Sequence, residues 1–283
     1  MHGEDVFLEK LERAERVDNS RLHLSSKYRI VGPIANGCFS NVFRARRVHD
    51  KMEVAIKVFR RSPEALATYN TEVEAYRCLN SVFVVALVDS YADRQIAWLV
   101  LELGVCTLRR RMRMLRDLRV VAALLKQLVY AVRFLHENNV AHRDIKPENV
   151  VMSRDDSLKL CDFGMAALGN GRLHTLCGTP YYMAPELFSG DKKGYEGFPV
   201  DVWAVGAVAY ELMHEGRLAF SAPNMRDLLS RIRRGAYAPI RTGLPKVFRR
   251  FVQRCLVTVV KRPSSKTLPI PVCINTRDSG LVV

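Results

Sequence analysis

His142-Arg143-Asp144-Ile145-Lys146-Pro147-Glu148-Asn149 places a carboxylate, two cations and a side-chain amide on one short stretch, and Asp162-Phe163-Gly164 adds a second carboxylate downstream. Carboxylate and amide oxygens are the ligands magnesium prefers, and a carboxylate near a hydroxyl can orient it and take its proton. Transfer of a phosphoryl group from a metal-bound nucleotide needs such a set, because positioning and charge neutralisation matter there more than covalent help. One block alone is a modest signal. With Val54-Ala55-Ile56-Lys57 upstream and Ala184-Pro185-Glu186 downstream, coincidence is a poor account of the pattern.

These residues need elements to carry them. Tyr28-Arg29-Ile30-Val31, Asn41-Val42-Phe43-Arg44-Ala45 and Glu53-Val54-Ala55-Ile56-Lys57-Val58-Phe59 read as strands. A helix is expected over 66–79, and two further strands over 82–91 and 96–103. Beyond Gly104 the periodicity is mostly helical, with helices expected over 120–138, 200–214 and 245–257. Phe7, Leu8, Leu11, Ala14 and Val17 fall near one face of a helix, so 1–27 reads as a helical extension. A small sheet-rich lobe followed by a larger helical one is therefore expected, without internal repeats.

Composition is ordinary for a globular chain of 283 residues, with 48% hydrophobic and 26% charged residues. No apolar run reaches the roughly 18 residues of a membrane span. The N-terminus lacks the basic-then-apolar pattern of a secretory signal, and neither terminus carries a lipidation motif. Seven cysteines without a C-x-x-C pair argue against a disulfide framework and structural zinc, and point to a cytoplasmic or nuclear location. The formal net charge of +15 favours acidic partners, or simply reflects solvated basic faces. No finger, basic zipper or aromatic-basic motif accompanies that charge, so nucleic acid is not the expected partner.

Taken together, residues 28–268 resemble a eukaryotic-type serine/threonine protein kinase domain. The resemblance implies an α+β, bilobal fold: a small antiparallel β-sheet lobe with one main helix (28–103), a larger mainly α-helical lobe (104–268), and a tail (269–283). It implies transfer of the γ-phosphoryl group of ATP, with Mg2+, to serine or threonine hydroxyls of protein substrates. Ile34, Ala35, Asn36, Gly37, Cys38, Phe39, Ser40 and Val42 resemble the glycine-rich loop over the phosphates, with only the middle glycine kept. Glycine there permits positive φ and close approach of backbone N–H groups. Lys57 resembles the lysine that pairs with the α- and β-phosphates, with Glu72 as its partner and Glu74 as the alternative. Leu101 is the implied gatekeeper; Glu102 and Gly104 face the adenine edge, and Ala55 and Val151 line its ring. Asp144 is the implied base, Lys146 reaches the γ-phosphate, and Asn149 and Asp162 hold magnesium. Thr179 positions the substrate, and Thr175 is the expected activating phosphosite, with Arg143 as its partner. His142, Phe163, Tyr76 and Asp201 resemble a packed spine, and Glu186 pairs with Arg262.

Several positions depart from that pattern. Asn80-Ser81 follows the main helix, Thr258-Val259 precedes Arg262, and Pro269-Ile270-Pro271 cannot continue a regular helix. The basic segment 109–119 (Arg109, Arg110, Arg111, Arg113, Arg116, Arg119) reads as a solvated helix, or as a surface for acidic or phosphorylated partners. Glu148 and Glu211 argue partly the other way, since by resemblance they can receive an arginine of the substrate. Cys38 and Cys161 are expected to face the nucleotide. The alternative to an enzyme is a pseudokinase scaffold that binds an acidic partner.

Overall fold

The computed structural model describes residue 24 and residues 26–93, 96–257 and 261–269. Nearly all of the expected extension over 1–27, the tail from 270, and Thr258 and Val259 lie outside the described residues. The chain divides into two compact units: one runs to Asn70 and includes Ala86–Leu103, the other takes Thr71–Val85 and the chain from Gly104.

The first unit is built on strands β1 (Tyr28–Asn36), β2 (Ser40–Arg47), β3 (Glu53–Phe59), β4 (Leu87–Ala92) and β5 (Ala97–Glu102), antiparallel in the order β1-β2-β3-β5-β4. Alternation decides its two faces. Val54, Ile56 and Val58 of β3 point with Phe43, Ala45, Trp98 and Val100 into one core, where β-branched and aromatic side chains suit a pleated surface. Ile56 is fully buried, so truncating it to alanine costs roughly 2–5 kcal/mol. Helix α1 (Pro63–Cys78) starts where the Ser62 hydroxyl accepts the Ala65 N–H at 3.1 Å, with Pro63 in its first turn. Its Tyr69 packs edge-on against Phe59, ring centres 5.3 Å apart.

The strand expected over 82–91 is shorter than its apolar run. Ser81 turns the chain, accepting the Phe83 N–H at 3.2 Å. Residues 83–85 then bond Leu160, with Leu160 N–H donating to Phe83 O and Val85 N–H to Leu160 O. The chain joins β5 at Ala86, whose carbonyl accepts the Glu102 N–H at 2.9 Å, and pairs in register from Leu87.

In the second unit, β6 (Cys106–Thr107) leads to the five-residue helix α2 (Leu108–Met112), and α3 (Leu118–Glu137) follows under an Asp117 cap. The basic helix expected over 109–119 is thus interrupted, because the Asp117 carboxylate accepts the Arg119 N–H at 2.8 Å and starts a new helix. Val121, Leu124, Leu125, Leu128, Val132 and Leu135 give α3 its buried stripe. Short strands β7 (Val140–Ala141), β8 (Val150–Met152), β9 (Leu158–Leu160) and β10 (Ala167–Leu168) frame the loops that follow. β8 pairs with β6 and β9, and β7 with β10. Helix α4 (Gly197–Met213) is mostly apolar and buried on nearly every side, the mark of a central core helix, with Asp201 and Glu211 as its buried carboxylates. Helices α5 (Met225–Arg233), capped by Asn224, and α6 (Lys246–Cys255) are amphipathic; α6 buries Phe248, Phe251, Val252 and Cys255.

Candidate active site

In the first unit, the register of β2, β3 and β5 gathers candidate nucleotide residues. Lys57 is paired with Val42 and Leu99, and Ala55 with Leu101. Cross-strand partners share a face, so Val42, Ala55, Lys57 and Leu101 lie together on the face opposite the core. Lys57 is buried, its ammonium 5.3 Å from the centre of the Phe59 ring. The expected loop between the first two strands is tighter than its sequence motif. Ile34, Ala35 and Asn36 are still in β1 and Ser40 already begins β2, leaving Gly37, Cys38 and Phe39 as the connection. Gly37 does not use the positive φ that glycine permits. Its N–H bonds Ser40 O at 2.8 Å, and its carbonyl accepts from Arg60 Nη2 at 3.0 Å. The Glu102 carboxylate accepts the Ala86 N–H at 3.2 Å, fixing the end of β5.

The second unit carries the remaining candidates. Gly104 lies against Val151, where a Cβ on Gly104 would come within 2.8 Å of the valine Cβ. Glu72 is fully buried on the second half of α1. One turn on, Tyr76 meets Phe163 edge-on at 5.1 Å, and Phe163 meets His142 at 4.9 Å. Burial, then the Glu72, Cys161 and Asp162 charges, push the Tyr76 phenol well above its ordinary range. His142 Nε2 bonds Cys161 O at 3.0 Å. The Asp201 carboxylate receives the backbone N–H groups of His142 and Arg143, each at 2.8 Å, and approaches His136 Nε2 at 3.0 Å. His136 Nδ1 in turn bonds Ser265 Oγ at 2.8 Å.

That anchored loop presents Asp144. Its Oδ1 accepts from Thr179 Oγ1 at 2.8 Å and its Oδ2 from Lys146 Nζ at 2.7 Å. Lys146 Nζ also donates to Thr179 Oγ1 at 2.8 Å, closing a triangle of three predicted residues. Asn149, in the short turn Pro147–Asn149, donates its Nδ2 to Asp144 O at 2.9 Å and Oδ2 at 3.1 Å. Its amide oxygen therefore faces away from Asp144. Cys161 N–H donates to Asn149 O at 3.0 Å, which sets Asp162 next to the Asn149 backbone. Asp162 has φ 65°, and a short polar side chain is the kind that tolerates this left-handed conformation. Amide and carboxylate oxygens are the ligand type of a magnesium ion that takes its other ligands from a nucleotide phosphate.

Thr179 depends on Gly178. At φ 105° that residue brings the chain so near Arg143 O that a Cβ would stand 2.8 Å from it. Thr175 is exposed, and Arg143 Nη2 donates to both its carbonyl (2.9 Å) and its hydroxyl (3.0 Å). The Tyr195 hydroxyl donates to Thr175 O at 2.7 Å and contacts the same guanidinium. Burial pushes the Cys177 thiol up. Glu186 pairs with Arg262 at 2.5 Å, and Arg262 also bonds Pro199 O and covers the Trp203 ring at 5.0 Å.

Arg109 was not singled out by sequence, yet every nitrogen of its guanidinium is engaged. Nε donates to Glu148 Oε1 at 2.7 Å, Nη1 donates to Glu211 Oε1, and Nη2 donates to the Tyr182 hydroxyl at 2.5 Å. Tyr182 donates to Glu211 Oε2 at 2.7 Å. Burial works against the Arg109 charge, but hydrogen bonds to Glu148 and Glu211 outweigh it and hold its pKa up. Burial and the neighbouring Glu211 push the Tyr182 phenol well above its ordinary range. The reading of 109–119 as wholly solvated is corrected at this residue: Leu108 and Met112 are buried on either side of it, which turns Arg109 inward. Arg110, Arg113, Arg116 and Arg119 are exposed.

Residues 28–268 match the protein kinase domain family. CBL-interacting protein kinase 4 of Oryza sativa subsp. japonica is 35% identical over 249 residues, 82% of this chain and 54% of the relative. CBL-interacting serine/threonine-protein kinase 20 of Arabidopsis thaliana is 31% identical over 233 residues, 78% of this chain and 52% of the relative. The chain spans about half the length of the curated relatives it matches. It belongs to the protein kinase family, with a domain of the eukaryotic serine/threonine type.

Proposed function

We propose that this chain is an active protein-serine/threonine kinase that transfers the γ-phosphoryl group of Mg-ATP to serine or threonine hydroxyls of proteins. The observation that carries the reading is the Asp144–Lys146–Thr179 triangle with Asn149 bound to its carboxylate. Asp144 orients the accepting hydroxyl and takes its proton, while Lys146 sits where it meets negative charge on the transferred group. Asn149 and Asp162 would hold a magnesium ion, which would supply charge neutralisation to the phosphates. Lys57 binds the α- and β-phosphates. Residues Ile34–Ser40 and Val42 cover the nucleotide, and Ala55, Leu101, Glu102, Gly104 and Val151 hold its base.

Thr179 positions the substrate, and phosphate on Thr175 would add close to two negative charges beside Arg143 and order the segment. Exposed Arg110, Arg113, Arg116 and Arg119 suit acidic or phosphorylated protein partners. No helix among the described residues is long and apolar enough to cross a membrane. The described cysteines are free thiols, which fits a cytoplasmic or nuclear location.

Labelled Mg-ATP, offered with generic acidic and basic proteins, tests the proposal. Label on serine or threonine that disappears in both Asp144→Asn and Asp162→Ala supports it. No transfer, even after phosphorylation at Thr175 by an upstream kinase, overturns it in favour of a scaffold.

A further inference from the structure

Glu148 lies two residues beyond Lys146, and Tyr182 three beyond Thr179. Both Lys146 and Thr179 hold Asp144. The cluster around Arg109 is therefore a direct neighbour of the carboxylate that receives the substrate hydroxyl. An extended peptide advances about 3.3 Å per residue, so side chains close to the accepting hydroxyl come within reach of Glu148 and Glu211. Two carboxylates that converge on one planar fork are the geometry that recognises a guanidinium. Here all three nitrogens of that fork belong to Arg109. Glu211 is only 1% exposed, whereas Glu148 is 46% exposed. Emptied of Arg109, the site would hold a desolvated anion beside an accessible one, a strong attractor for a cation from outside.

We propose that Arg109 occupies, from within the chain, the place a substrate arginine would otherwise take between Glu148 and Glu211. It thereby sets specificity against cationic residues near the phosphorylated hydroxyl. This deepens the kinase reading and rests on it. Arg109 acts as a specificity-determining residue, not a catalytic one; its removal changes which substrates are chosen. A purely structural role for Arg109 would lower turnover of all peptides alike.

The test uses the full chain, with a single-serine peptide in which arginine is placed in turn at each flanking position. The readout is kcat/KM for each arginine peptide divided by that for the arginine-free parent. Wild type is expected to gain nothing from arginine at any position. Arg109→Ala is expected to raise that ratio about tenfold or more at one position, the scale of a close charge pair. Arg109→Ala combined with Glu211→Gln is expected to lose the gain.

A strong arginine preference in wild type, or an unchanged ratio in Arg109→Ala, overturns the proposal. Should the alanine variant fail to fold, Arg109→Lys keeps the charge but gives up the fork, and its ratio is expected to rise by less. An unchanged ratio there is equally fatal. Ethylguanidinium titrated into the folded Arg109 variant separates the two readings. A saturable rise in melting temperature, absent in wild type and in the double variant, is expected whether or not phosphate is transferred. Its absence overturns the cation site. Absence of transfer by wild type overturns the kinase reading, and with it the substrate role.

Discussion

Asp144 and Glu211 are each met by one cationic side chain and one hydroxyl: Asp144 by Lys146 and Thr179, Glu211 by Arg109 and Tyr182. The parts are alike and the settings are not. The cation at Asp144 comes from two residues away, and that at Glu211 from 102. Asp144 keeps 10% of its side chain exposed with a lysine at 20%, while Glu211 keeps 1%. Lysine offers one compact ammonium on a flexible stem; arginine is a planar fork that uses every nitrogen here. The first arrangement can exchange a partner at low cost, which suits a group that must receive a substrate proton. The second is fixed, because a buried carboxylate that loses its cation is left uncompensated.

The largest effect tests the first half of that contrast. Asp144→Asn keeps the shape of the site and removes the base, so phosphate transfer is expected to fall ~1,000-fold, with the thermal melt nearly unchanged. Activity close to wild type would break the comparison at once. Next comes stability at the second site. Arg109→Ala is expected to lower unfolding free energy by about 3 kcal/mol, as for one partner removed from a buried pair. Lys146→Ala, at a more accessible pair, is expected to cost about 1 kcal/mol or less. Urea titrations of the two variants side by side decide it, and equal losses would mean that burial does not separate the sites.

Gly178→Ala places a Cβ against Arg143 O in a left-handed backbone. A loss of roughly 1–3 kcal/mol is expected, together with weaker substrate binding as Thr179 moves off Asp144. Steady-state kinetics with a melt would show both. The smallest effect is of pH and concerns His214, which ends the helix that carries Glu211. Its Nδ1 bonds Tyr210 O at 2.7 Å, and its Nε2 accepts the Arg241 N–H at 3.0 Å, so only the neutral ring fits. Burial lowers its pKa below the ordinary 6.5. The unfolded chain therefore takes the proton first, and stability present above pH 6.5 is lost as the pH falls toward the lower folded value. Melting temperatures across this window, compared with His214→Asn, are expected to show a shallower slope in the variant.

How much of this was legible depended on the sequence distance between partners. Strand β3 was readable residue for residue, since Val54, Ile56 and Val58 alternate with a regular period. Asp144, Lys146 and Asn149 lie on one loop, so a linear motif contains their contacts. Arg109 meets Glu148, Tyr182 and Glu211 across the whole second unit, and a run of arginines gives no sign of which one turns inward. The faint local clue was Leu108 and Met112, apolar on either side of it. Residues 82–86 look like a strand because they are apolar, but only the pairing chosen by Ser81 and Leu160 decides otherwise. Helix α5 was missed because its arginines mask the periodicity, although Asn224 and Asp227 form a local cap.

Asp201 grips the catalytic loop through main-chain amides, which every residue type except proline supplies. The side chains at positions 142 and 143 are thereby left for other contacts: His142 meets Cys161 O and the Phe163 ring, and Arg143 meets Thr175 and Tyr195. Position 201 has no such latitude, since asparagine offers one acceptor oxygen where two amides and an imidazole converge. Anchoring is thus carried by the loop's main chain and by one side chain of a distant helix, while the loop's own side chains do the rest of the work.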